Sequence, residues 1–288
     1  MNLAKEHRFD MRGALLLGPM LTAFMILLNE GYTWGATSPA FIATALAGLG
    51  LLFFFVKTEA RAKAPLLDPR LFRQKTFVTS NAGSLMSYAL LFGVMLLMPF
   101  VFERGYHDSP LAAGLRLSII PIAISLVAPV SGILYDRHGP RLPTLCGMLT
   151  CLLALVLLYF AIKGTRADLL SVMLAMGVFG VGQGLFTAAN NSAIMAAAPQ
   201  DLTGEAGGLL NVTRAFGMSL GIASASSVLS WILTSRYDPS SSTLRVATAD
   251  LLDASRSVVL FLMLFAILAA IVSALPTAQR RTPTRTDA

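Results

Sequence analysis

Residues 142–162, LPTLCGMLTCLLALVLLYFAI, decide the fold class, because this stretch is apolar and has no charged side chain. The hydrocarbon layer of a bilayer is about 30 Å thick, and a helix that crosses it needs ~20 apolar residues. Seven more charge-free stretches flank it, at 13–29, 31–56, 76–102, 117–135, 169–200, 215–235 and 257–279. A water-soluble chain of 288 residues cannot bury so many apolar helices, and a mean hydropathy of +0.69 with 13% charged residues agrees. The sequence therefore predicts an integral membrane protein.

The apolar stretches are continuous, which favours helices over the alternating strands of a membrane barrel. Helices also satisfy every backbone hydrogen bond internally, as lipid requires. The expected fold class is an all-α integral membrane protein with eight transmembrane helices. The predicted helices span 13–29, 38–56, 77–102, 111–135, 142–162, 169–195, 206–234 and 257–276.

The basic residues sort onto one side of this arrangement. Fourteen Lys and Arg residues fall in 1–12, 57–75, 136–141 and 277–288, whereas the connections on the other side hold six. The connection 196–205 belongs to the basic side but has no basic residue, so it supports the arrangement least. The positive-inside rule then places both termini in the cytoplasm. The net charge of +7 has this topological explanation, and no zinc spacing or aromatic–basic interleaving accompanies it, so we expect no nucleic-acid partner.

A long basic connection divides the predicted helices into two groups. The cytoplasmic loop 57–76 separates a two-helix region, 1–56, from six helices in 77–276, and a cytoplasmic tail follows at 277–288. Six helices are the size of one transporter half, which is often built from two inverted three-helix repeats.

The segment GILYDRHGPR, residues 132–141, is the sharpest motif in the chain. Its first glycine would let a neighbouring helix approach closely, and its second would permit a tight turn. Its carboxylate can meet the N-terminal dipole of the next helix, and its arginines can join a charge network. An ordinary turn that obeys the positive-inside rule is the alternative interpretation. The candidate motif residues are Gly132, Asp136, Arg137, Gly139 and Arg141.

The spacing G-x-x-x-D-R-x-G-x-R resembles the cytoplasmic loop signature of the major facilitator superfamily. Four other segments resemble the drug:proton antiporter branch of that family, which has fourteen helices. They are NEGYTWGATSP (29–39), PLLDPRLFR (65–73), SPLAAGLRLSIIP (109–121) and NVTRAFGMSLG (211–221). In that branch two extra helices lie between two six-helix halves. The resemblance implies that this chain corresponds to the two extra helices and the C-terminal half.

The resemblance also implies a function. We expect proton-coupled efflux of a lipophilic or amphipathic small molecule by alternating access, in the cytoplasmic membrane of a bacterium. Its partners would be the substrate, the proton, the lipid bilayer and a separate N-terminal transporter half. The alternative is a non-transporting membrane subunit, or an inactive fragment that lacks the N-terminal six helices.

Polar residues inside the predicted helices are the candidates for a cavity or for coupling. Arg214 lies about two turns into its predicted helix, where a charge costs ~3 kcal/mol unless it pairs or reaches the surface. It can contact substrate, or it can be a structural arginine that snorkels; Arg116 is expected to snorkel. The amides can bond another helix or line a cavity, and both interpretations stay open. The candidates are Asn81, Tyr88, Gln183, Asn190, Asn191, Asn211 and Arg214.

No constellation of catalytic residues accompanies these candidates. The sequence has no phosphate-binding glycine loop, no H-E-x-x-H and no serine elbow. The three histidines lie in predicted loops without clustered metal ligands. We therefore expect no enzyme activity, no cofactor and no metal.

Overall fold

The structure is a computed structural model that describes residues 11–35, 37–59, 61, 68–236 and 247–275. These residues form ten α-helices and no strand. The predicted tail 277–288 lies outside the described residues. The helices are α1 (Met11–Trp34), α2 (Pro39–Glu59), α3 (Pro69–Arg73), α4 (Lys75–Phe100), α5 (Pro110–Leu117), α6 (Ile119–His138), α7 (Arg141–Ala161), α8 (Leu169–Ala197), α9 (Thr203–Arg236) and α10 (Thr248–Ala274).

Most of the predicted crossings correspond to helices that can span a bilayer. Among the described residues, seven helical segments are long and apolar enough to do so. The first predicted crossing falls on α1, whose apolar part, Leu15–Leu28, is shorter. The all-α membrane class is therefore confirmed.

Two boundaries differ from the sequence prediction for physical reasons. The predicted helix 111–135 is divided at Ser118 into α5 and α6. Pro121 has no N–H to donate to the carbonyl of Leu117, so α5 ends there and the chain restarts as α6. The short helix α3 lies inside the segment predicted as loop 57–76.

The six long helical segments from α4 to α10 pack as one bundle. Along one face the order is α6, α8, α4 and α9, with α7 and α10 behind them. Glycines on α8 allow this density, because a Cβ at Gly180 or Gly184 would lie within 3 Å of a backbone oxygen of α6. Gly182 is equally close to Gly147 of α7.

Two helices contribute mostly outward-facing apolar surface. In α2 and in the α5–α6 segment, only 11% of the most apolar stretch is buried within the chain. Helix α2 packs on α1, and α1 in turn packs on α9. The remaining apolar surface of α2 and α6 is therefore available to lipid or to another protein.

The described connections gather at two ends of the bundle. At one end, called here the α3 end, Asp68 bonds Glu205 in the first turn of α9, and Arg70 of α3 pairs with Asp201. Pro140 lies near Ser80 and Ser273 at the same end. At the opposite end, Asp108 lies 3.9 Å from Arg166. The weakly supported connection 196–205 thus shares an end with the loop that precedes α4, as the eight-helix prediction requires.

Candidate functional site

Side-chain amides of α8 bond directly to serines of α4. Ser87 Oγ donates to Gln183 Oε1 at 2.8 Å, and Gln183 Nε2 returns a 3.4 Å bond to the carbonyl of Ser87. Asn190 Nδ2 donates to Ser84 Oγ at 2.8 Å and to the carbonyl of Ser80 at 2.9 Å. All five residues are buried. Of the two interpretations left open for Gln183 and Asn190, the structure shows the bond to another helix.

A cavity of about 440 Å³ lies where α1, α4 and α9 meet. Most of its walls are aliphatic or aromatic, and its polar side chains are Asn81 and Thr213. Asn81 Nδ2 donates to the carbonyl of Phe77, and Thr213 Oγ1 donates to Asn81 Oδ1 at 3.3 Å. The apolar walls are formed by Leu28, Ala82, Leu85, Leu209, Val212, Phe216 and Leu220.

Arg214 lies on the neighbouring side of α9 from this cavity. Because α9 begins at Thr203, Arg214 is about three turns and ~16 Å inside the helix, deeper than the sequence predicted. Its guanidinium carbon lies 5.6 Å from the centroid of the Tyr88 ring, a cation–π contact. Nη1 donates to Asn211 Oδ1 at 3.3 Å, and Nε is buried without a hydrogen-bond partner. No carboxylate among the described residues neutralises this charge.

Asn191 differs from its neighbour Asn190. Its side chain is half-buried, and its Oδ1 is buried without a hydrogen-bond partner. An unsatisfied buried amide oxygen costs about 1–3 kcal/mol. Asn191 is therefore an acceptor without a donor within the described residues.

The loop motif residues lie at the α3 end, away from the Arg214 cluster. Gly139 has φ 74° and ends α6, so this turn needs glycine. Gly132 faces open space within the described part of the chain, so the expected close approach of a neighbouring helix stays a prediction. Asp136 lies in the last turn of α6 rather than in the loop, and it is exposed together with Arg137 and Arg141. None of the three forms an ion pair with another described residue, so the expected charge network is not formed within this part of the chain.

The sequence prediction missed a strap formed by Asp68 and α3, residues 68–73. The Asp68 backbone N–H donates to Glu205 Oε2 at 3.2 Å, and Arg70 Nη2 bonds Asp201 Oδ2 at 2.9 Å. The Arg70 guanidinium beside Asp68 lowers the pKa of that carboxyl. Leu71 is fully buried in an apolar cluster that includes Leu202. The signal was present in the sequence, since Asp before Pro is a typical helix start.

A buried ion pair at the opposite end was also missed. Arg116 Nε bonds Asp108 Oδ2 at 2.7 Å, and the Asp108 side chain is only 3% exposed. Arg116 therefore pairs with a buried carboxylate, a partner that the expectation of a snorkelling arginine did not include. No sequence pattern could have shown this, because the pairing depends on the irregular turn between α4 and α5.

With this geometry in place, comparison with known proteins decides the family. Residues 11–222 match the sequence model of the Major Facilitator Superfamily. The chain belongs to this superfamily. The resemblance found in the loop motif and in the four flanking segments is therefore confirmed.

Curated members of the superfamily resemble the chain over most of its length. Multidrug resistance protein Stp of Mycobacterium tuberculosis is 30% identical over 82% of this chain and 43% of its own length. Riboflavin transporter RibZ of Clostridioides difficile is 28% identical over 80% of this chain and 49% of its own. Quinolone resistance protein NorB of Staphylococcus aureus is 25% identical, with coverage of 77% and 48%. The chain thus spans just under half the length of these relatives.

The structure of this superfamily member brings some predicted residues together and separates others. Tyr88, Asn211 and Arg214 form one cluster, and Asn81 borders the adjacent cavity. Gln183 and Asn190 join α8 to α4 and do not line that cavity. The loop motif forms a separate feature at the α3 end.

Proposed function

We propose that this chain is the C-terminal part of a transporter that exports lipophilic or amphipathic small molecules by alternating access. The observation that carries the proposal is the cavity between α1, α4 and α9 in a chain of this superfamily. Its walls contain two polar side chains, Asn81 and Thr213. A mostly apolar cavity with few fixed hydrogen-bond partners suits ligands that share hydrophobicity rather than one shape.

A separate N-terminal half is the proposed protein partner. The relatives are about twice as long as the region they share with this chain. The poorly buried apolar face of the α5–α6 segment and the exposed charges Asp136, Arg137 and Arg141 offer that partner a surface. In the proposed cycle, the two halves rock about the midplane and expose the cavity to each side in turn. We place both termini and the α3 end in the cytoplasm.

The proton gradient is the proposed driving force, and its carrier would lie outside the described helices. Every Asp or Glu in those helices lies within two turns of a helix end, which is shallow for a midplane relay. The carboxylates of the relay would therefore belong to the N-terminal half.

Transport in inside-out bacterial vesicles tests the proposal. The chain is expressed in a strain without its own drug exporters, either alone or fused behind the six N-terminal helices of Stp. We expect uptake of the uncharged lipophilic dyes Nile red and N-phenyl-1-naphthylamine by vesicles that contain the fusion, and collapse of that uptake by a protonophore. An empty-vector membrane energised in the same way is the control.

Each outcome separates one part of the proposal. Uptake by the chain alone would contradict its role as half of a larger unit. Uptake that persists after the protonophore would reject proton coupling and keep transport. A well-folded fusion that moves neither dye favours the alternative, a non-transporting membrane subunit.

A further inference from the structure

Arg214 carries a positive charge that no carboxylate of the described residues pairs with. It lies farther from a helix end than any other charged side chain in the described helices. Its neighbours, Asn211 and Tyr88, are neutral, so they orient the guanidinium without neutralising it. Because a charged side chain inside a membrane helix costs free energy, one that lacks a counter-ion is a candidate functional site.

The geometry of the cluster defines what would complete it. Nη1 is engaged by Asn211, whereas Nε, on the other edge of the guanidinium, has no acceptor. The edge formed by Nε and Nη2 is the part of arginine that binds a carboxylate with two parallel hydrogen bonds. The missing group is therefore an acceptor with a negative charge.

An aromatic platform adjoins this edge. The Tyr88 ring lies under the guanidinium and stacks on Phe92, with ring centroids 6.5 Å apart and planes 17° from parallel. Both rings are half-buried, so part of each remains accessible. Such rings bind flat apolar bodies through stacking.

From these contacts we propose that Arg214, Tyr88 and Phe92 recognise amphipathic substrates that join a carboxylate to an aromatic body. The inference rests on the proposed transport function and narrows it to a substrate class. Arg214 binds the carboxylate, and the two rings bind the apolar part. A cationic substrate is disfavoured here, because it would be repelled by Arg214.

A carboxylate could also be supplied by an acidic side chain of the N-terminal half. The two sources share their chemistry but differ in what they predict. A substrate carboxylate leaves Arg214 selective after the halves assemble. A side-chain carboxylate neutralises Arg214 on assembly and removes the selectivity.

A matched pair of probes tests the assignment, namely 1-naphthylacetate and 1-naphthylacetamide. They share the aromatic body and differ in charge. Binding is measured by equilibrium dialysis with the full chain purified in detergent, and again with the Stp fusion. We expect both proteins to bind the acid on the order of tenfold more tightly than the amide, as one charge-assisted hydrogen bond provides.

Variants assign the selectivity to the cluster. Arg214→Gln should reduce the affinity ratio to about one by weakening the acid alone, and Arg214→Lys should retain part of it. Tyr88→Leu should weaken both probes. Arg73→Gln removes the same charge from the exposed α3 and should leave the ratio unchanged. Monodisperse elution in gel filtration establishes that each variant is folded.

Several results would overturn the inference. They are equal affinity of the wild-type chain for the two probes, no binding of either, an unchanged ratio in Arg214→Gln, and loss of the ratio in the fusion. If Arg214→Gln does not fold, the affinity ratios of the wild-type chain and of Arg214→Lys for the two probes still test the inference. Failure of the transport proposal is distinguishable: vesicles that move no dye while the chain still selects the acid would reject transport alone, and dye transport with a ratio near one would reject only this inference.

Discussion

Helix α4 packs differently against α8 and against α9. Toward α8 it presents serines whose hydroxyl or backbone carbonyl groups hydrogen-bond buried side-chain amides, as Ser87 does with Gln183. Toward α9 it makes one side-chain hydrogen bond, between Asn81 and Thr213, and otherwise close backbone contact, since a Cβ on Gly217 would lie 2.6 Å from the carbonyl oxygen of Leu85. Beside that contact lies Arg214, whose Nε has no hydrogen-bond partner within the part of the chain that the structure describes. Polar groups that complete one another hold helices together, whereas an incomplete one is available for a ligand.

The largest expected effect comes from forcing α4 and α9 apart. Gly221 allows no side chain, because a Cβ there would overlap the backbone of Ala89. Gly221→Val should therefore destabilise the bundle by about 3 kcal/mol or more. Folded yield and the midpoint of thermal unfolding in detergent measure this. Gly208→Val, on the same helix but facing open space, is the control; equal losses in both variants would show that packing at Gly221 is not the cause.

Replacing Arg214 should increase the stability of the bundle. Arg214→Met removes a charge without a counter-ion among the described residues, which costs up to ~3 kcal/mol inside a membrane helix, and gives up a cation–π contact of ~1 kcal/mol. The net expectation is a gain of about 2 kcal/mol in stability, together with loss of acid selectivity. Thermal unfolding compared with dialysis against 1-naphthylacetate checks both parts. A lower unfolding temperature would mean that Arg214 is a structural residue, like the amides on the other side of α4.

The hydrogen-bonded side of α4 should respond more weakly. Gln183→Leu leaves Ser87 without its acceptor and should cost about 1 kcal/mol, within the range for bonds between membrane helices. The double variant with Ser87→Ala should cost less than the sum of the single changes, because the two side chains share one bond. Unfolding midpoints of the four proteins in this cycle provide the measurement, and strict additivity would deny the coupling.

The smallest effect is expected at the strap, just before α4. Arg70→Gln removes the ion pairs with Asp201 and Asp68 and should lower the unfolding midpoint at neutral pH only slightly, since Arg70 is exposed. The pKa of Asp68 is lowered in the folded protein, so its contribution is present above its ordinary pKa and is lost as the pH falls through the lowered value. Wild type and variant should therefore converge in stability as the pH falls below about 4. A gap that widens in acid would contradict the role of this carboxylate.

Different parts of the molecule were predictable to different degrees. The all-α membrane class could be predicted from hydropathy alone. The turn at Gly139 could be predicted from local sequence, because a positive φ favours glycine. The strap and the Asp108–Arg116 pair were missed, since each joins a helix to an irregular segment. For Gln183, Asn190 and Arg214 the sequence suggested polar candidates but could not separate structural residues from ligand-binding ones.

By itself, the sequence determined that this chain lies in a membrane as helices, because apolar length and missing charge act locally along each segment. Family membership could also be predicted from it, through motifs that are contiguous in the chain. Only the tertiary structure decided which polar groups are satisfied. Gln183 faces Ser87 across ninety-six positions of sequence, whereas Arg214 finds no carboxylate among the described residues. Hydrogen bonding depends on the atoms that packing brings within about 3 Å.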